Sequence, residues 1–493
     1  MKVVFVYKGS ESLGIEYLSS FLKNKGHQTE LVFDPAVFSS DRGRDSKFLA
    51  RMFRNYQDKV IEKVISANPD LIAFSAYTAN YRWSLDLAQK IKDKKRIPIV
   101  FGGIHTTAVP QRVIQNECID AVVVGEGEYP LLELVESLEN GIFNDLRIRN
   151  VYFKKNNDII TNPVRPYIHD IDELPLPNKE LFYQKVPALE EVFLIMTSRG
   201  CPLKCSYCCN NIFHRLYSSE KRHFRRRSVT NVISELRLYK KRGRMQAVAF
   251  WDDIFTIDSK WISEFSEQYS REIGLPFYCY SLPNTLSREI VKLLANANCR
   301  HIKIGVQTVS EETHRKILHR PGSKDSISKA ALLLREYGIQ YSTDHILNLP
   351  FEGVEEQEKA AEFYNKIRPV RINSHWMTYY PGTEIIETAR KGNIISRENT
   401  EKMEEGYYCT PYNFPSVKKN GAMREVAQIQ ILFDLIPLLP RILCQWLIRK
   451  KIYRYFFYSS FLHQTLIGIT SLAYRDKEYW NTIKYIFTPK GVP

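Results

Sequence analysis

Short apolar runs alternate with helical patterns through the first 145 residues, and this alternation constrains the fold more than any other feature of the chain. KVVFVY at 2–7 precedes GIEYLSSFLKNKGH at 14–27, in which apolar residues recur at helical spacing until a Lys-Gly stop. The runs TELVFD, DLIAFSAY, PIVFGG and DAVVVGE repeat the scheme further along. Five such units without hairpin signals between them predict a doubly wound parallel sheet over residues 1–145.

Polar loops follow four of the predicted strands, at residues 8–14, 75–80, 102–107 and 125–128. Ligands of a parallel sheet bind beyond the carboxyl ends of its strands, so together these loops predict a binding cleft. A glycine after a strand is weak evidence by itself, because turns use glycine for their geometry. The candidate cofactor contacts in the loops are Ser75, Thr78, Gly102, Gly103, His105, Gly125 and Glu126.

Residues 146–190 break this alternation. VYFKKNNDIITNP predicts a hairpin around Asn156-Asn157, and ELPLPN predicts an extended connector, so we assign 146–190 to a linker. From residue 191 strand and helix patterns alternate for six more units. They predict a partial (β/α)6 barrel over 191–394, with its chemistry at the carboxyl ends of the strands.

The remaining residues, 395–493, predict a mainly helical C-terminal region. Apolar and aromatic residues dominate 426–472, but Asp434, Pro437 and Arg441 interrupt them, so we do not expect a membrane-spanning helix. Two interpretations stay open. The region either covers the open side of the barrel or forms an amphipathic segment on a membrane surface, with Arg and Lys at its polar edge.

The formal net charge of +15 raises the question of a nucleic-acid or membrane partner. The two dense basic patches are KRHFRRR at 221–227 and RKKIYR at 449–454, and neither lies in a recognisable nucleic-acid-binding motif, so no nucleic-acid partner is expected. Nine scattered cysteines do not form a disulfide framework in a chain of 493 residues. The first apolar run is too short for a secretory signal, and we expect a cytoplasmic protein.

Four of the cysteines lie in TSRGCPLKCSYCCNN at 197–211. Cys201, Cys205 and Cys208 have the spacing C-x3-C-x2-C, which lets a tight loop turn three thiolates onto one iron–sulfur cubane. Structural zinc is the rival, but it takes four ligands, usually from paired C-x2-C units. With three protein ligands, one iron of a [4Fe–4S] cluster stays open. We interpret Cys209 and the remaining cysteines as small apolar residues.

The loop GCPLKCSYCCNN resembles the cluster-binding loop of the radical S-adenosylmethionine (SAM) superfamily, with Tyr207 as its usual aromatic residue. Asn348 and Phe351 replace glycines of the superfamily's strand-five turn, and Gln307 stands where a glutamate is frequent. Other segments that resemble the superfamily are AFWDDIFT (249–256), GVQTVSEE (305–312), DHILNLPFE (344–352) and YYPGTEI (379–385).

The N-terminal domain, with FGGIHTT and VVVGEGE, resembles the cobalamin-binding domains that precede the barrel in one branch of this superfamily. Its first loop, KGSESLGIE, lacks the D-x-H-x-x-G motif in which histidine replaces the lower cobalt ligand. The resemblance therefore implies cobalamin bound base-off with no histidine on cobalt. His105 is the one histidine in the cleft loops, and it either ligates cobalt or packs nearby.

The resemblance implies three cofactors: a [4Fe–4S] cluster on the three cysteines, SAM at its open iron, and cobalamin. It also implies that SAM is cleaved to a 5′-deoxyadenosyl radical. Asp252, Asp253 and Gln307 are candidate SAM contacts, although one of the two aspartates could instead cap the following helix. Residues 225–227, all arginine, either meet a carboxylate or phosphate or form a solvated charged run.

Tyr280, His345, His375 and Tyr379 lie at or near predicted strand ends and are our candidate catalytic residues. Trp376 lies beside them, and all five are candidates for the substrate cavity. Inward-facing aromatic residues also serve plain packing.

The leading functional hypothesis is cobalamin-dependent methylation of an unactivated carbon in a small molecule, with a reducing donor such as ferredoxin or flavodoxin. The apolar C-terminal region suits a lipophilic substrate and peripheral membrane contact. An alternative in the same scaffold is oxidative cyclisation or rearrangement without methyl transfer. An RNA-modifying methylthiotransferase is disfavoured, because such enzymes carry three further cysteines in the N-terminal domain, where this chain has Cys118 alone.

Overall fold

The computed structural model of the protein describes residues 1–35, 56–143, 147–155, 158–407 and 421–474. The predicted turn at Asn156-Asn157 lies outside them. The strands are Lys2–Lys8 (β1), Gln28–Asp34 (β2), Leu71–Ser75 (β3), Ile99–Gly102 (β4), Ala121–Val123 (β5), Val151–Lys155 (β6), Asp158–Thr161 (β7), Val192–Ile195 (β8), Ser198–Arg199 (β9), Arg225–Arg226 (β10), Ala247–Phe250 (β11), Phe277–Ser281 (β12), Cys299–Gln307 (β13), Gln340–Leu347 (β14) and Arg371–Trp376 (β15).

The α-helices alternate with these strands up to β15 and then continue alone to the end of the described chain. They are Leu13–Asn24 (α1), Tyr56–Ser66 (α2), Thr78–Lys94 (α3), Ile104–Ala108 (α4), Pro110–Ile114 (α5), Glu128–Glu139 (α6), Glu180–Tyr183 (α7), Asn210–Leu216 (α8), Val229–Lys240 (α9), Ser259–Glu272 (α10), Arg288–Asn296 (α11), Glu311–Lys316 (α12), Lys324–Glu336 (α13), Val354–Ile367 (α14), Ile385–Lys391 (α15), Arg397–Glu404 (α16), Gly421–Leu435 (α17), Arg441–Arg449 (α18) and Ser460–Ala473 (α19).

The first sheet has the strand order β2-β1-β3-β4-β5-β6-β7, and its first five strands are parallel. On β1, Phe5 lies opposite Leu31 on one side and Ala73 on the other. The strand order changes direction at β1, because β2 lies on one side of β1 and β3 on the other. Parallel sheets of this class bind ligands at such a switch point, between β1 and β3.

Helices cover both faces of the first sheet. Val4 and Val6 of β1 belong to a core formed with α2, α3 and α5. Val3 and Phe5 point to the opposite face, where the core with α1 and α6 is continuous with that of the second sheet. Successive strand residues point to opposite faces, so β1 is apolar throughout because both faces are covered. The predicted doubly wound architecture is confirmed.

The segment assigned to a linker contributes two strands to this sheet. β6 pairs antiparallel with β5, placing Tyr152 opposite Val122, and β7 pairs antiparallel with β6. The two strands of the predicted hairpin therefore extend the first sheet instead of separating it from the second, which corrects the assignment of this part of 146–190.

The second sheet is formed by β8, β11, β12, β13, β14 and β15, all parallel and in sequence order. Its outer face packs on helices, as where Phe265 of α10 contacts Phe250 and Phe277 edge to face. β8 and β15 are the two edges of this sheet. The predicted partial (β/α)6 barrel is confirmed.

A buried ion-pair network joins the two sheets. The fully buried Lys179 ammonium lies 2.8 Å from Glu11 and 2.9 Å from Glu16, and it donates to the Leu194 carbonyl at 2.7 Å. Burial raises the pKa of Glu16 well above its usual value, although the Lys179 charge opposes the shift. Because an unpaired buried charge is very costly, Lys179 fixes α1 beside the first barrel strand.

The C-terminal helices pack along the edge strand β15. α17 contacts α14 and β15, and the Trp376 indole donates to the Gln430 side chain at 2.8 Å. The Arg371 guanidinium donates to the Ser471 hydroxyl of α19 at 2.9 Å. These contacts support the interpretation that the region covers the open side of the barrel. Within the described ranges, no helix has the length and apolar content needed to cross a membrane.

Candidate active site and cofactor sites

A cavity of about 300 Å³ lies at the carboxyl edge of the first sheet. Most of its wall is apolar and comes from β1, β3, β4, α1 and α6. Met196, Ser198, Arg199 and Arg227 line it from the barrel side. The predicted cofactor contacts in its wall are Ser75, Gly102, Gly103, Gly125 and Glu126.

Glycines keep this cavity open. Gly103 has φ +102°, and a Cβ there would lie 2.6 Å from the Ala76 carbonyl oxygen, so only glycine fits without strain. Gly14 lines the same space, and the nearest atom to a Cβ built on it is 4.0 Å away. An apolar, glycine-lined cavity of this size fits part of a large cofactor such as cobalamin.

Thr78 and His105 lie behind the cavity and not in its wall. His105 is 1% exposed, its Nδ1 lies 3.2 Å from the Thr78 hydroxyl, and its ring stacks on Tyr81 at 4.2 Å. Burial lowers the pKa of His105 to about 4, so the ring is neutral. The position of His105 matches the packing interpretation, and neither residue reaches the cavity.

Glu126 lines the cavity, but barrel residues bind its carboxylate. The Arg225 guanidinium lies 2.8 Å from Glu126, and Arg199 lies 3.4 Å from Glu126 and 2.6 Å from Glu128. Burial disfavours the charged form of Glu126, yet the two arginines outweigh this effect and its pKa is lowered. Glu126 therefore links the two sheets at the cavity wall.

The remaining arginines of the basic run are also built into the fold. Arg227 pairs with the buried Glu235 at 2.6 Å, and the Arg226 guanidinium lies 3.6 Å from the centre of the Trp261 ring. The interpretation of 225–227 as a solvated charged run is wrong, because these side chains meet carboxylates and an aromatic ring of the same chain.

The loop that carries the cysteines begins directly after β9 and is anchored to distant segments. The Ser206 amide donates to the Leu318 carbonyl at 3.0 Å, and the Ile385 amide donates to the Ser206 carbonyl at 2.9 Å. The His214 Nε2 lies 2.8 Å from the Cys201 carbonyl oxygen. The end of the YYPGTEI segment therefore holds the cysteine loop in place.

Cys201 and Cys205 are buried, and Cys208 is partly exposed. Burial raises the pKa of Cys201 to about 12 and also raises that of Cys205, with further repulsion from neighbouring thiolates. A hydrogen bond with the Cys209 thiol lowers the pKa of Cys208.

Across the described parts of the chain, no group of three His, Cys, Asp or Glu side chains is gathered to hold a metal ion. The three thiols, which lie within eight residues of the sequence, fit a cluster in their chemistry, because bound iron takes the place of the thiol protons.

Asp252 joins the ends of two barrel strands. Its Oδ1 accepts hydrogen bonds from the Thr197 amide at 3.0 Å, the Thr197 hydroxyl at 2.8 Å and the Ser198 hydroxyl. Asp252 is buried, so this carboxylate positions the chain between β8 and the cysteine loop.

Asp253 lies closer to the cysteines. It accepts a hydrogen bond from the Asn210 side chain at 2.9 Å, and burial raises its pKa. Neither aspartate caps the next helix, because Asp258 does so by accepting from the Trp261 amide at 3.1 Å. The prediction that one of the pair is a helix cap is wrong.

Arg320 is a charged residue at the cluster loop that the sequence analysis missed. Its Nη1 lies 3.9 Å from the Cys205 sulfur and 3.2 Å from the Tyr207 hydroxyl, and its Nη2 donates to the Gly305 carbonyl at 2.8 Å. Arg320 lies 115 residues after Cys205, so no local pattern connects the two.

The three departures from the superfamily pattern keep a backbone conformation that favours glycine. Gln307 at the end of β13 has φ +67°, Asn348 has φ +59° and Phe351 has φ +66°. Asparagine tolerates this region well, whereas it costs a bulky residue about 1–2 kcal/mol. Asn348 and Phe351 therefore hold a left-handed conformation that a glycine at either position would adopt without strain.

Tyr280 and His375 face the barrel interior. Lys303 donates to the Tyr280 hydroxyl at 3.1 Å. Burial lowers the pKa of His375, and the Asp344 carboxylate opposes the shift. Trp376 packs outward on α17, so His375, one residue earlier, points to the opposite face.

A polar group on this inner face was missed by the sequence analysis. Asp344 accepts from the Asn373 amide at 3.0 Å, and Lys303 and Arg371 place two cations near His375. Side chains along a strand alternate between its two faces. Applied to the neighbours of Tyr280 and His375 on β13, β14 and β15, this alternation was the sequence signal that could have identified these polar residues.

His345 and Tyr379 do not face this interior. His345 Nδ1 lies 2.9 Å from the Tyr364 hydroxyl and its Nε2 lies 2.7 Å from Gln357 Oε1, both on the outer helix α14. Burial lowers the pKa of His345 to about 4. Tyr379 is buried in an apolar cluster against which Tyr207 packs, beside the cysteine loop.

Comparison with known protein families identifies the two domains that carry these sites. Residues 5–135 match the B12 binding domain, and residues 195–364 match the radical SAM superfamily. The chain therefore carries a B12-binding domain followed by a radical SAM domain. The enzyme is of the type that carries a cobalamin-binding domain, and its cofactors are a [4Fe–4S] cluster, SAM and cobalamin. Both resemblances drawn from the sequence are confirmed.

Two curated relatives span most of the enzyme. An uncharacterised methyltransferase of Pyrococcus horikoshii is 27% identical over 82% of this chain and 86% of its own. The anaerobic magnesium-protoporphyrin IX monomethyl ester cyclase of Rubrivivax gelatinosus is 26% identical over 86% of this chain and 75% of its own. Methyltransferases and a cyclase thus share this arrangement of domains.

Solved structures share the fold. The cobalamin-dependent SAM radical enzyme OxsB, with aqua-cobalamin and SAM bound, covers 99% of this chain and 84% of its own with a TM-score of 0.67 and 16% identity. The radical SAM methyltransferase TsrM from Kitasatospora setae covers 79% of this chain and 76% of its own, with a TM-score of 0.63 and 16% identity.

Proposed function

We propose that the enzyme methylates an unactivated carbon of a small molecule. The observation that carries this proposal is a single short segment that borders both cofactor sites. Met196 and Ser198 line the cavity of the first sheet, and Cys201 begins the cysteine loop only three residues later. A methyl donor and a radical source held on either side of this segment would share one reaction space, which favours reaction by proximity.

When bound, the cluster and SAM supply a 5′-deoxyadenosyl radical, and cobalamin supplies the methyl group. The chain holds and orients these groups. Cys201, Cys205 and Cys208 would hold the cluster, Asp253 would bind the SAM ammonium, and Arg320 places a positive charge beside Cys205. Glu126 lines the cavity and is paired with the buried Arg225, and this packing helps to exclude water there.

The substrate would lie in the barrel interior. The charges of Lys303 and Arg371 act on His375 there, and the Asn373 side-chain amide donates to the Asp344 carboxylate at 3.0 Å. Two cations on this face favour a substrate that carries a carboxylate or phosphate group. Tyr280 and His375 lie on the same face and are placed to contact it. A lipophilic body on such a substrate would suit the apolar C-terminal region.

Cyclisation without methyl transfer is the second candidate. It is favoured by the magnesium-protoporphyrin IX monomethyl ester cyclase, which matches 86% of this chain at nearly the same identity as the methyltransferase. Both functions need the same radical, and they differ in whether a methyl group leaves SAM.

The cluster needs a reducing donor, for which we propose a ferredoxin or flavodoxin. We place the enzyme in the cytoplasm, where free thiols and clusters stay reduced.

The test uses full-length enzyme purified without oxygen, loaded with iron, sulfide and hydroxocobalamin, and then desalted. SAM and dithionite are added, and 5′-deoxyadenosine and S-adenosylhomocysteine are measured. We expect cobalamin to stay bound and both products to form, because methyl transfer consumes a second SAM. Deoxyadenosine alone, with cobalamin retained, would support SAM cleavage by a cobalamin enzyme without distinguishing methylation from cyclisation, because methyl transfer can require the substrate. Loss of cobalamin on desalting with continued SAM cleavage would contradict both candidates.

The substrate class is tested separately with cell extract and SAM labelled in its methyl group. The labelled product should bind an anion-exchange resin, and Lys303→Met should abolish labelling while SAM cleavage persists. Leu332→Met, on an exposed face of α13, is the control. A labelled product that passes through the resin would contradict the anionic assignment without affecting the methylation proposal.

A further inference from the structure

Exposed apolar side chains concentrate in one short part of the chain. Of the sixteen large apolar residues exposed within the described residues, eight lie between 442 and 472. Surface clusters of this kind mark interaction sites, whereas single exposed apolar residues are normal. The eight are Ile442, Leu443, Trp446, Tyr455, Phe457, Phe461, Ile469 and Leu472.

Helix α18 separates its two faces sharply. Cys444, Leu447 and Ile448 are buried in the protein. The opposite face carries Ile442, which is 85% exposed, and Trp446, which is 50% exposed. This face is apolar although it points to solvent, which is the reverse of an ordinary surface helix.

A second exposed stripe follows. Phe457, which is 77% exposed, leads into α19, where Phe461, Ile469 and Leu472 are exposed. Residues 461, 465, 469 and 472 recur at helical spacing, so they share one face of α19. The buried side of the same helix carries Leu466 and Thr470.

The charge of this part of the chain has one sign. Residues 435–474 contain five Arg and Lys residues and no Asp or Glu. Lys451 pairs with Glu358, and Arg454 pairs with Glu425. In the described part of the chain, no ion pair is formed by the remaining three, Arg441, Arg449 and Lys450, which flank the exposed face of α18.

We propose that the enzyme docks on an anionic lipid bilayer through α18 and the exposed stripe from Phe457 to Leu472. Exposed aromatic and aliphatic side chains flanked by Arg and Lys are the features of a helix that lies in the lipid interface. Each nearby cation adds attraction to anionic headgroups. A second copy of the chain is a poorer occupant, because it would bring two positively charged faces together.

The experiment is co-sedimentation of full-length enzyme with vesicles of phosphatidylcholine alone or with added phosphatidylglycerol. We expect binding to the anionic vesicles to be at least about tenfold tighter and to weaken as salt is raised. The double variant Arg449→Glu/Lys450→Glu should lose at least about tenfold of this binding. Trp446→Gln combined with Phe461→Gln should weaken it at any salt concentration.

Leu332→Gln is the matched control, because the exposed fraction of Leu332, 62%, lies between those of Trp446 and Phe461, and Leu332 is on α13, outside the charged region. All changed side chains are exposed, and equal melting temperatures would verify that the variants fold. Absence of sedimentation with anionic vesicles would overturn the proposal. It would also be overturned by a dimer, seen by light scattering, that the Trp446 and Phe461 substitutions dissociate.

Discussion

Two candidate cofactor sites lie at the carboxyl ends of the parallel strands of the two sheets, and they are built differently. At the first sheet the wall is apolar, glycines such as Gly14 and Gly103 leave the space, and the carboxylate of Glu126 is neutralised. At the second sheet, buried thiols, Asp253 and Arg320 gather within one loop environment. The same topology thus supports one site made of open space and one made of reactive groups, because loops and not strand order decide the chemistry.

The largest expected effect separates the two sites by removing one thiol. Cys208→Ala should abolish the iron–sulfur absorbance and reduce SAM cleavage below detection, because the cluster needs its third ligand. Cobalamin should remain bound after desalting, since the first site contains no cysteine ligand. Cys209→Ala, the exposed neighbour, is the control and should retain iron. Equal iron loss in both variants would contradict the assignment.

Filling the cavity of the first sheet should weaken cobalamin binding and leave the iron–sulfur cluster unchanged. Gly14→Leu places a side chain in the cavity without backbone strain, and we expect cobalamin to bind at least about tenfold more weakly. Iron content should not change. Lys23→Leu, on the exposed side of the same helix, should bind cobalamin normally. Equilibrium dialysis with hydroxocobalamin measures the effect, and unchanged binding in Gly14→Leu would show that the cavity does not hold the cofactor.

The link between the sites is tested with Glu126→Gln. Leaving Arg225 buried without its carboxylate should lower the free energy of unfolding by about 3 kcal/mol at neutral pH. The folded-state pKa of Glu126 is lowered, so its contribution is present above the unfolded pKa of about 4.5 and is lost as pH falls through the folded pKa. Denaturant unfolding should therefore show the difference from wild type shrinking in acid. A difference independent of pH would contradict this account.

The smallest effect concerns a feature that the two regions share. Burial lowers the pKa of both His105 and His345 to about 4, below the unfolded value of about 6.5. Each neutral ring contributes stability above pH 6.5 that is lost as pH falls toward 4, about 2 kcal/mol each between pH 7 and 5. His345→Gln and His105→Gln should each flatten the pH dependence of unfolding by this amount. If only one of the two variants shows a flatter pH dependence of unfolding, the lowered histidine pKa is not a feature that the two regions share.

The candidate sites were predictable where the signal is local. The spacing of Cys201, Cys205 and Cys208 lies within eight residues, and the glycine-containing loops directly follow apolar runs. Long-range partners were not predictable. Arg320 approaches Cys205 from 115 residues away, and Glu126 meets Arg225 across two sheets.

The sequence alone determined the parallel strands of both sheets, and its short motifs carried the resemblance that implies the three cofactors and predicts the cysteine ligands, since alternating patterns and short motifs depend on neighbouring residues only. The tertiary structure decided which way side chains point. His345 and His375 both lie on barrel strands, but His345 bonds to the outer helix and His375 faces the interior, because a shift of one residue along a strand exchanges its faces. It also decided that the basic run at 225–227 is internal, since burial and ion pairing depend on residues distant in the sequence.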